Sequence, residues 1–134
     1  MDNPRAEATA TLTQMIEGYR ITQMIHVAAR LGLADLLAAG PQSSADLAEQ
    51  TGTHAPALYR LLRALSSLGV FREEAPDRFA LTALAEPLRT EVPGSVRGMA
   101  LFVGDPQSWL PWGELAQTVT TGEQAFPRIF GQDN

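Results

Sequence analysis

From Ser43 to Thr82 the chain runs SSADLAEQTGTHAPALYRLLRALSSLGVFREEAPDRFALT, and the order of signals in this stretch admits few folds. Ser43 followed by Asp46 opens a helix, because a hydroxyl and a carboxylate at that spacing satisfy free amides of the first turn. Leu47 and Ala48 form its buried face, and Gly52 supplies the left-handed residue that ends it. Pro56 then stands in the first turn of a second helix, where a missing amide proton costs little. Leu58, Leu61, Leu62, Leu65 and Leu68 recur at steps of three and four on one stripe until Gly69 stops the run. Val70–Glu73 and Arg78–Leu81 are short β-prone runs on either side of Glu74-Ala75-Pro76-Asp77, a turn-forming cluster, so they pair as a hairpin. Helix, tight turn, leucine-striped helix and hairpin in that order predict a winged helix-turn-helix.

Composition sets the outer bounds. The 134 residues suffice for one domain with a core, and their 45% hydrophobic content is ordinary for a globular chain. Apolar runs fall far short of the roughly 18 residues that cross a bilayer, and Met1-Asp2-Asn3-Pro4-Arg5 lacks a signal peptide's basic start and apolar centre, so the expectation is a cytoplasmic protein with no membrane partner. Zero cysteines remove disulfides, thiolate metal sites and cysteine nucleophiles together. A net charge of -5 opposes broad association with nucleic acid.

The second helix and its continuation, Leu58-Tyr59-Arg60-Leu61-Leu62-Arg63-Ala64-Leu65-Ser66-Ser67-Leu68-Gly69-Val70-Phe71, resemble a signature in the amino-terminal domain of S-adenosylmethionine-dependent small-molecule O-methyltransferases of bacterial secondary metabolism. Three more segments are similar to the same family in the same order: GYRITQMIHVAARLGLADLL at Gly18–Leu37, FALTALAEPLR at Phe79–Arg89 and SWLPWGELAQTVTTGEQAF at Ser108–Phe126. The resemblance implies a mainly α fold in three parts. Residues 1–40 would be dimerisation helices, 41–90 the winged-helix module, and 91–134 helices leading from an acceptor pocket toward a cofactor-binding domain that lies beyond Asn134. S-adenosylmethionine would serve the full-length parent, a small aromatic or polyketide hydroxyl would be the acceptor, and this chain alone would bind no cofactor.

Along the chain, residues 1 to about 8 read as a loose tail, with order starting near Thr9. Leu12, Met15, Ile16 and Tyr19, then Met24, Ile25, Ala28 and Leu31, keep a helical period on both sides of Gly18, as one bent helix or two in succession. So much apolar surface beside a small winged helix calls for a partner, and methionines such as Met15 and Met24 suit a face that packs against its own copy. Leu12, Met15, Ile16, Tyr19, Met24 and Ile25 are therefore the candidate homodimer interface; the alternative is that they fold back onto their own domain. The resemblance adds intertwined subunits, each reaching into the other's pocket, with Met15 and Met24 as the mate's contribution. Further on, Thr82 is read as the cap of a short helix through Leu88, Ser95–Val103 as a helix, and Trp109 to Val119 as another closed at Thr121-Gly122. Met99, Phe102, Trp109 and Trp112 gather large apolar area where the resembled family roofs its acceptor, and aromatic walls suit a planar substrate. Ordinary core packing is the competing account of each.

Catalytic machinery is not legible. The eleven glycines include no Gly-x-Gly and none after a buried strand, so neither a cofactor site nor a Rossmann domain is expected, and no catalytic residue is assigned. His26, among Met24, Ile25 and Val27, reads as structural or interfacial; His54 reads as surface, and two distant histidines make no metal site. A standalone winged-helix transcriptional regulator is the rival from another class, with Arg60 and Arg63 facing the major groove and Arg72 and Arg78 on phosphate. Against it, Ser43–Thr82 sets those four arginines against five carboxylates, Asp46, Glu49, Glu73, Glu74 and Asp77. A second alternative keeps the fold and changes the reaction to hydroxylation, decarboxylation or pericyclic chemistry.

Overall fold

Asn3 takes an extended conformation and its side-chain oxygen accepts hydrogen bonds from the amides of Arg5 and Ala6, so the first helix, α1, runs Pro4–Ile16. Order therefore begins well before the expected start at Thr9. The Asn-Pro pair that looks like a breaker is instead an N-cap followed by proline at the first helical position. The computed structural model describes residues 3–131. A break at Glu17 separates α1 from α2 (Gly18–Leu31), so the early period belongs to two helices, and Gly32 at φ 68° closes α2 before the short α3 (Leu33–Leu37).

The winged-helix module keeps closely to its sequence signals. Ser43 Oγ accepts from the Asp46 amide at the head of α4 (Ser44–Thr51), and His54 caps α5 (Ala55–Ser67) by accepting from the Ala57 amide. The α5 helix ends in a Schellman arrangement: the amides of Gly69 and Val70 donate to Ser66 and Leu65, with Gly69 at φ 81°. Leu68 thus falls at the helix end and is exposed, outside the stripe it is expected to extend. The hairpin pairs β1 (Phe71–Ala75) with β2 (Arg78–Leu81) in antiparallel register, Phe71 opposite Leu81 and Glu73 opposite Phe79, with a bulge between Glu73 and Ala75. Its loop is Pro76-Asp77, tighter than the longer cluster expected. Asp77 sits at φ 54°, which an aspartate tolerates better than most residues. Its amide donates to Glu73 and its carboxylate accepts from the Ser44 amide at 3.0 Å, pinning the wing tip to the start of α4. Gln42 exchanges both backbone hydrogen bonds with Phe79 and gives the wing a one-residue third edge.

Beyond the wing, Thr82 Oγ1 does accept from the Ala85 amide, but the segment it caps is a turn and one 3-10 helix at Glu86–Leu88, because Pro87 cannot extend an α-helix. Helix α6 spans Arg97–Gly104. The run from Trp109 to Val119 is two helices, α7 (Pro106–Gly113) and α8 (Leu115–Thr121), separated at Glu114 after Pro111 and Gly113. Then α9 (Ala125–Phe130) closes the described chain.

The core joins α2, α3, α4, α5, the hairpin and α6. Phe71, Phe79, Leu33, Leu47, Leu62 and Leu65 are its largest fully buried side chains, and Tyr59 meets Phe79 edge-on at 5.9 Å. In contrast, α1, α7 and α8 bury no residue.

Candidate functional site: an aromatic groove between α2 and α7

The α6 helix is locked onto α2. The buried ring of His26, 4% exposed, donates from Nδ1 to the Ala100 carbonyl at 2.9 Å, and Arg97 Nε donates to the Ala29 carbonyl at 3.0 Å. Gly104 makes this approach possible, since a Cβ there would lie 2.0 Å from His26 Cγ. From this fixed end the chain turns at Asp105, whose carbonyl accepts from the amides of Ser108 and Trp109 and starts α7. Trp109, Leu110, Trp112 and Gly113 then face Tyr19, in the first turn of α2, across a groove of about 470 Å³. Phe102, Gln107, Ser108, Pro111, Trp112 and Phe126 line a neighbouring groove of about 390 Å³, so Trp112 is the ridge between the two.

The structure therefore brings Trp109 and Trp112 together in one groove, and Phe102 and Trp112 in the next. Met99 is exposed on α6 and lines neither. The sequence assigns Tyr19 to the interface helices alone; its place in the groove depends on the α2–α6 lock, for which the only sequence hint is a histidine amid apolar residues. Leu12, Met15 and Ile16 lie exposed along α1 and Tyr19 is half exposed, whereas Met24 and Ile25 are partly buried against their own core. Trp112, Leu115 and Val119 on α7 and α8 are bare apolar side chains as well, the last 77% exposed.

At the groove's edge Arg20 Nε donates to the Tyr19 hydroxyl at 2.9 Å, and the guanidinium carbon stands 5.5 Å from the ring centre. That hydrogen bond, with the charge interaction it carries, raises the already high Arg20 pKa, so the cation persists at every working pH. The wing's arginines are differently disposed: Arg63 pairs with Glu73, and Arg72 and Arg78 with Glu74, leaving Arg60 as the module's arginine without an ion pair among the described residues. Among those residues, too, no three His, Asp or Glu side chains gather as a metal ion requires, and no helix is long and apolar enough to cross a membrane.

The groove's residues do not fit S-adenosylmethionine. Such a cofactor needs a strand leading into a glycine turn open to its backbone; here both described strands belong to the wing hairpin, and the glycine in closest contact, Gly104, is filled against His26.

Residues 13–91 match the family model of the O-methyltransferase dimerisation domain. The chain belongs to that family. It is 44% identical over 133 residues to a phenazine O-methyltransferase of Lysobacter antibioticus, covering 97% of this chain and 39% of that enzyme. Among solved structures, that of LaPhzM superposes with a TM-score of 0.89 at 44% identity, over 94% of this chain and 38% of the other. Human N-acetylserotonin methyltransferase, solved with S-adenosylmethionine, gives 0.85 at 27% identity over 99% and 40%. The chain thus spans well under half the length of these relatives. The dimerisation-domain match itself runs from the end of α1 to the loop after the 3-10 helix. The groove helices α6 and α7 lie beyond it, inside the longer likeness to the enzymes.

Proposed function

We propose that this dimerisation domain is the dimer-forming and acceptor-recognising part of an S-adenosylmethionine-dependent methyltransferase, acting as a homodimer on the hydroxyl of a small planar aromatic or polyketide compound. The observation that carries the reading is the groove itself. Two tryptophans and a tyrosine converge between a dimerisation helix and α7, on a molecule whose neighbouring apolar side chains are left bare. Aromatic walls bury the faces of a planar ring and hold it in one plane, while the α2–α6 lock fixes the distance between those walls. In such an enzyme S-adenosylmethionine supplies the methyl group. The residues described here orient the acceptor and exclude water from it. The relatives support the acceptor class, since phenazine and N-acetylserotonin are aromatic. Ion pairing of three of the four arginines in Ser43–Thr82 leaves a DNA-reading role little positive surface.

Light scattering on the chain tests the assembly: the expected mass is twice 14.4 kDa, and a soluble, folded monomer at high concentration overturns it. Quenching of tryptophan emission by phenazine tests the groove, because Trp109 and Trp112 are the chain's only tryptophans and both line it. Unchanged emission at saturating phenazine would remove the acceptor role.

A further inference from the structure

We propose that the aromatic groove selects acceptors carrying an anionic oxygen, a carboxylate or phenolate on the ring system, with the Tyr19 hydroxyl and the Arg20 guanidinium as its polar end. This rests on the groove being the acceptor site and adds the chemical class of what it takes. Trp109, Leu110, Trp112 and Gly113 bring no charged side chain to the lining, so the Tyr19 hydroxyl is its polar side-chain group apart from the indole N–H groups. Arg20 Nε donates to that hydroxyl, which occupies the oxygen as an acceptor and leaves its own proton free to point elsewhere. A phenol that accepts from a cation is a stronger donor, and its best partner is an anion.

The guanidinium keeps its other N–H groups available. Arg63, Arg72, Arg78, Arg89 and Arg128 each pair with a carboxylate, but Arg20 makes no ion pair among the described residues. Glu17, one turn earlier, is the nearby carboxylate and stays beyond ion-pair distance. In a chain of net charge -5, a cation bonded to the hydroxyl of a groove-lining tyrosine is a local reversal of sign. A planar anion satisfies both features at once: its rings lie between the tryptophans and the tyrosine, and its oxygens reach the phenol and the guanidinium.

Titration of tryptophan emission with phenazine-1-carboxylate and with uncharged phenazine, on the full chain, separates the contributions. The carboxylate is expected to bind about tenfold more tightly, the scale of one partly exposed charge-assisted contact, and this advantage should shrink as salt is added. In Arg20→Gln the two ligands should fall within about twofold of one another; Tyr19→Phe, which keeps the ring, should remove some of the advantage. Both positions are exposed, and circular dichroism checks that the variants fold. Equal affinity for the two ligands in the parent chain, or an advantage that survives both substitutions, overturns the selectivity and leaves the groove as acceptor site. Failure of both ligands to quench overturns both readings, and quenching by phenazine alone overturns only the selectivity.

Discussion

At the scale of single residues, the contact of Gly104 with the His26 ring decides how closely the groove-bearing end of the chain approaches α2. An added Cβ would meet the root of an imidazole that is itself held by the Ala100 carbonyl, so neither partner has an easy retreat. Gly104→Ala should therefore cost about 1–3 kcal/mol, the usual range for overpacking a tight contact. In a double-mutant cycle measured by urea unfolding, His26→Ala should relieve most of that cost, and strict additivity would mean that the clash relaxes elsewhere. A second residue pair sets a pH response. The Asp35 carboxylate accepts from the Thr90 hydroxyl and the Thr90 amide, tying α3 to the segment after the 3-10 helix, and chiefly the hydroxyl bond holds its pKa below the ordinary 3.8. A carboxyl depressed on folding contributes its stability in full above that ordinary value and loses it as the pH falls through the folded one. Because the group is exposed, the contribution should stay below about 1 kcal/mol. Thr90→Val should accordingly lower the urea midpoint at about pH 6 and show a smaller drop than the parent on going to about pH 3; identical pH profiles would mean that the bonds contribute nothing.

At the scale of elements, α1 spans Pro4–Ile16 and buries none of its residues. A helix of that length is marginal in water without packing, so its order should depend on a second chain. Hydrogen exchange of the α1 amides should be slow at high protein concentration and speed up on dilution, while α5 amides hold their protection; fast exchange in α1 at every concentration would remove that helix from the interface. The winged module is legible because its signals agree at every level: the Ser43 cap, the Gly52 and Gly69 stops, the leucine stripe and a turn flanked by β-prone runs. Where the sequence misleads, one residue type serves two purposes. Asn3-Pro4 looks like a breaker and is a cap. Thr82 looks like a helix start, but Pro87 leaves only a 3-10 turn. Trp109 to Val119 keeps an apolar period across Glu114, although Pro111 and Gly113 within it divide the run into a pair of short helices. The groove itself is invisible in the sequence because Tyr19 and Trp109 are far apart along the chain, and α7 reaches the start of α2 through α6, which packs on α2 with the help of the His26–Ala100 and Arg97–Ala29 bonds.

At the scale of the whole molecule, the groove and the bare apolar face share a border. Tyr19 belongs to both the groove and the run of exposed residues that begins on α1, and Trp112 adjoins Leu115 in a further apolar hollow. A partner chain laid over Met15 and Ile16 would then narrow the groove that Tyr19 lines, and an acceptor lying in that groove would touch both chains. Linkage makes this a quantitative statement: whatever factor dimerisation contributes to acceptor affinity, the acceptor must return to dimer affinity. Sedimentation velocity at concentrations where the dimer begins to dissociate should accordingly show it restored by phenazine. Met15→Glu with Ile16→Glu, which places like charges from both subunits across a two-fold interface, should weaken the dimer by at least about a hundredfold and weaken quenching of Trp109 and Trp112 in parallel. If the charged variant is monomeric yet binds phenazine as tightly as the parent chain, one subunit completes the groove by itself, and the bare face serves assembly alone.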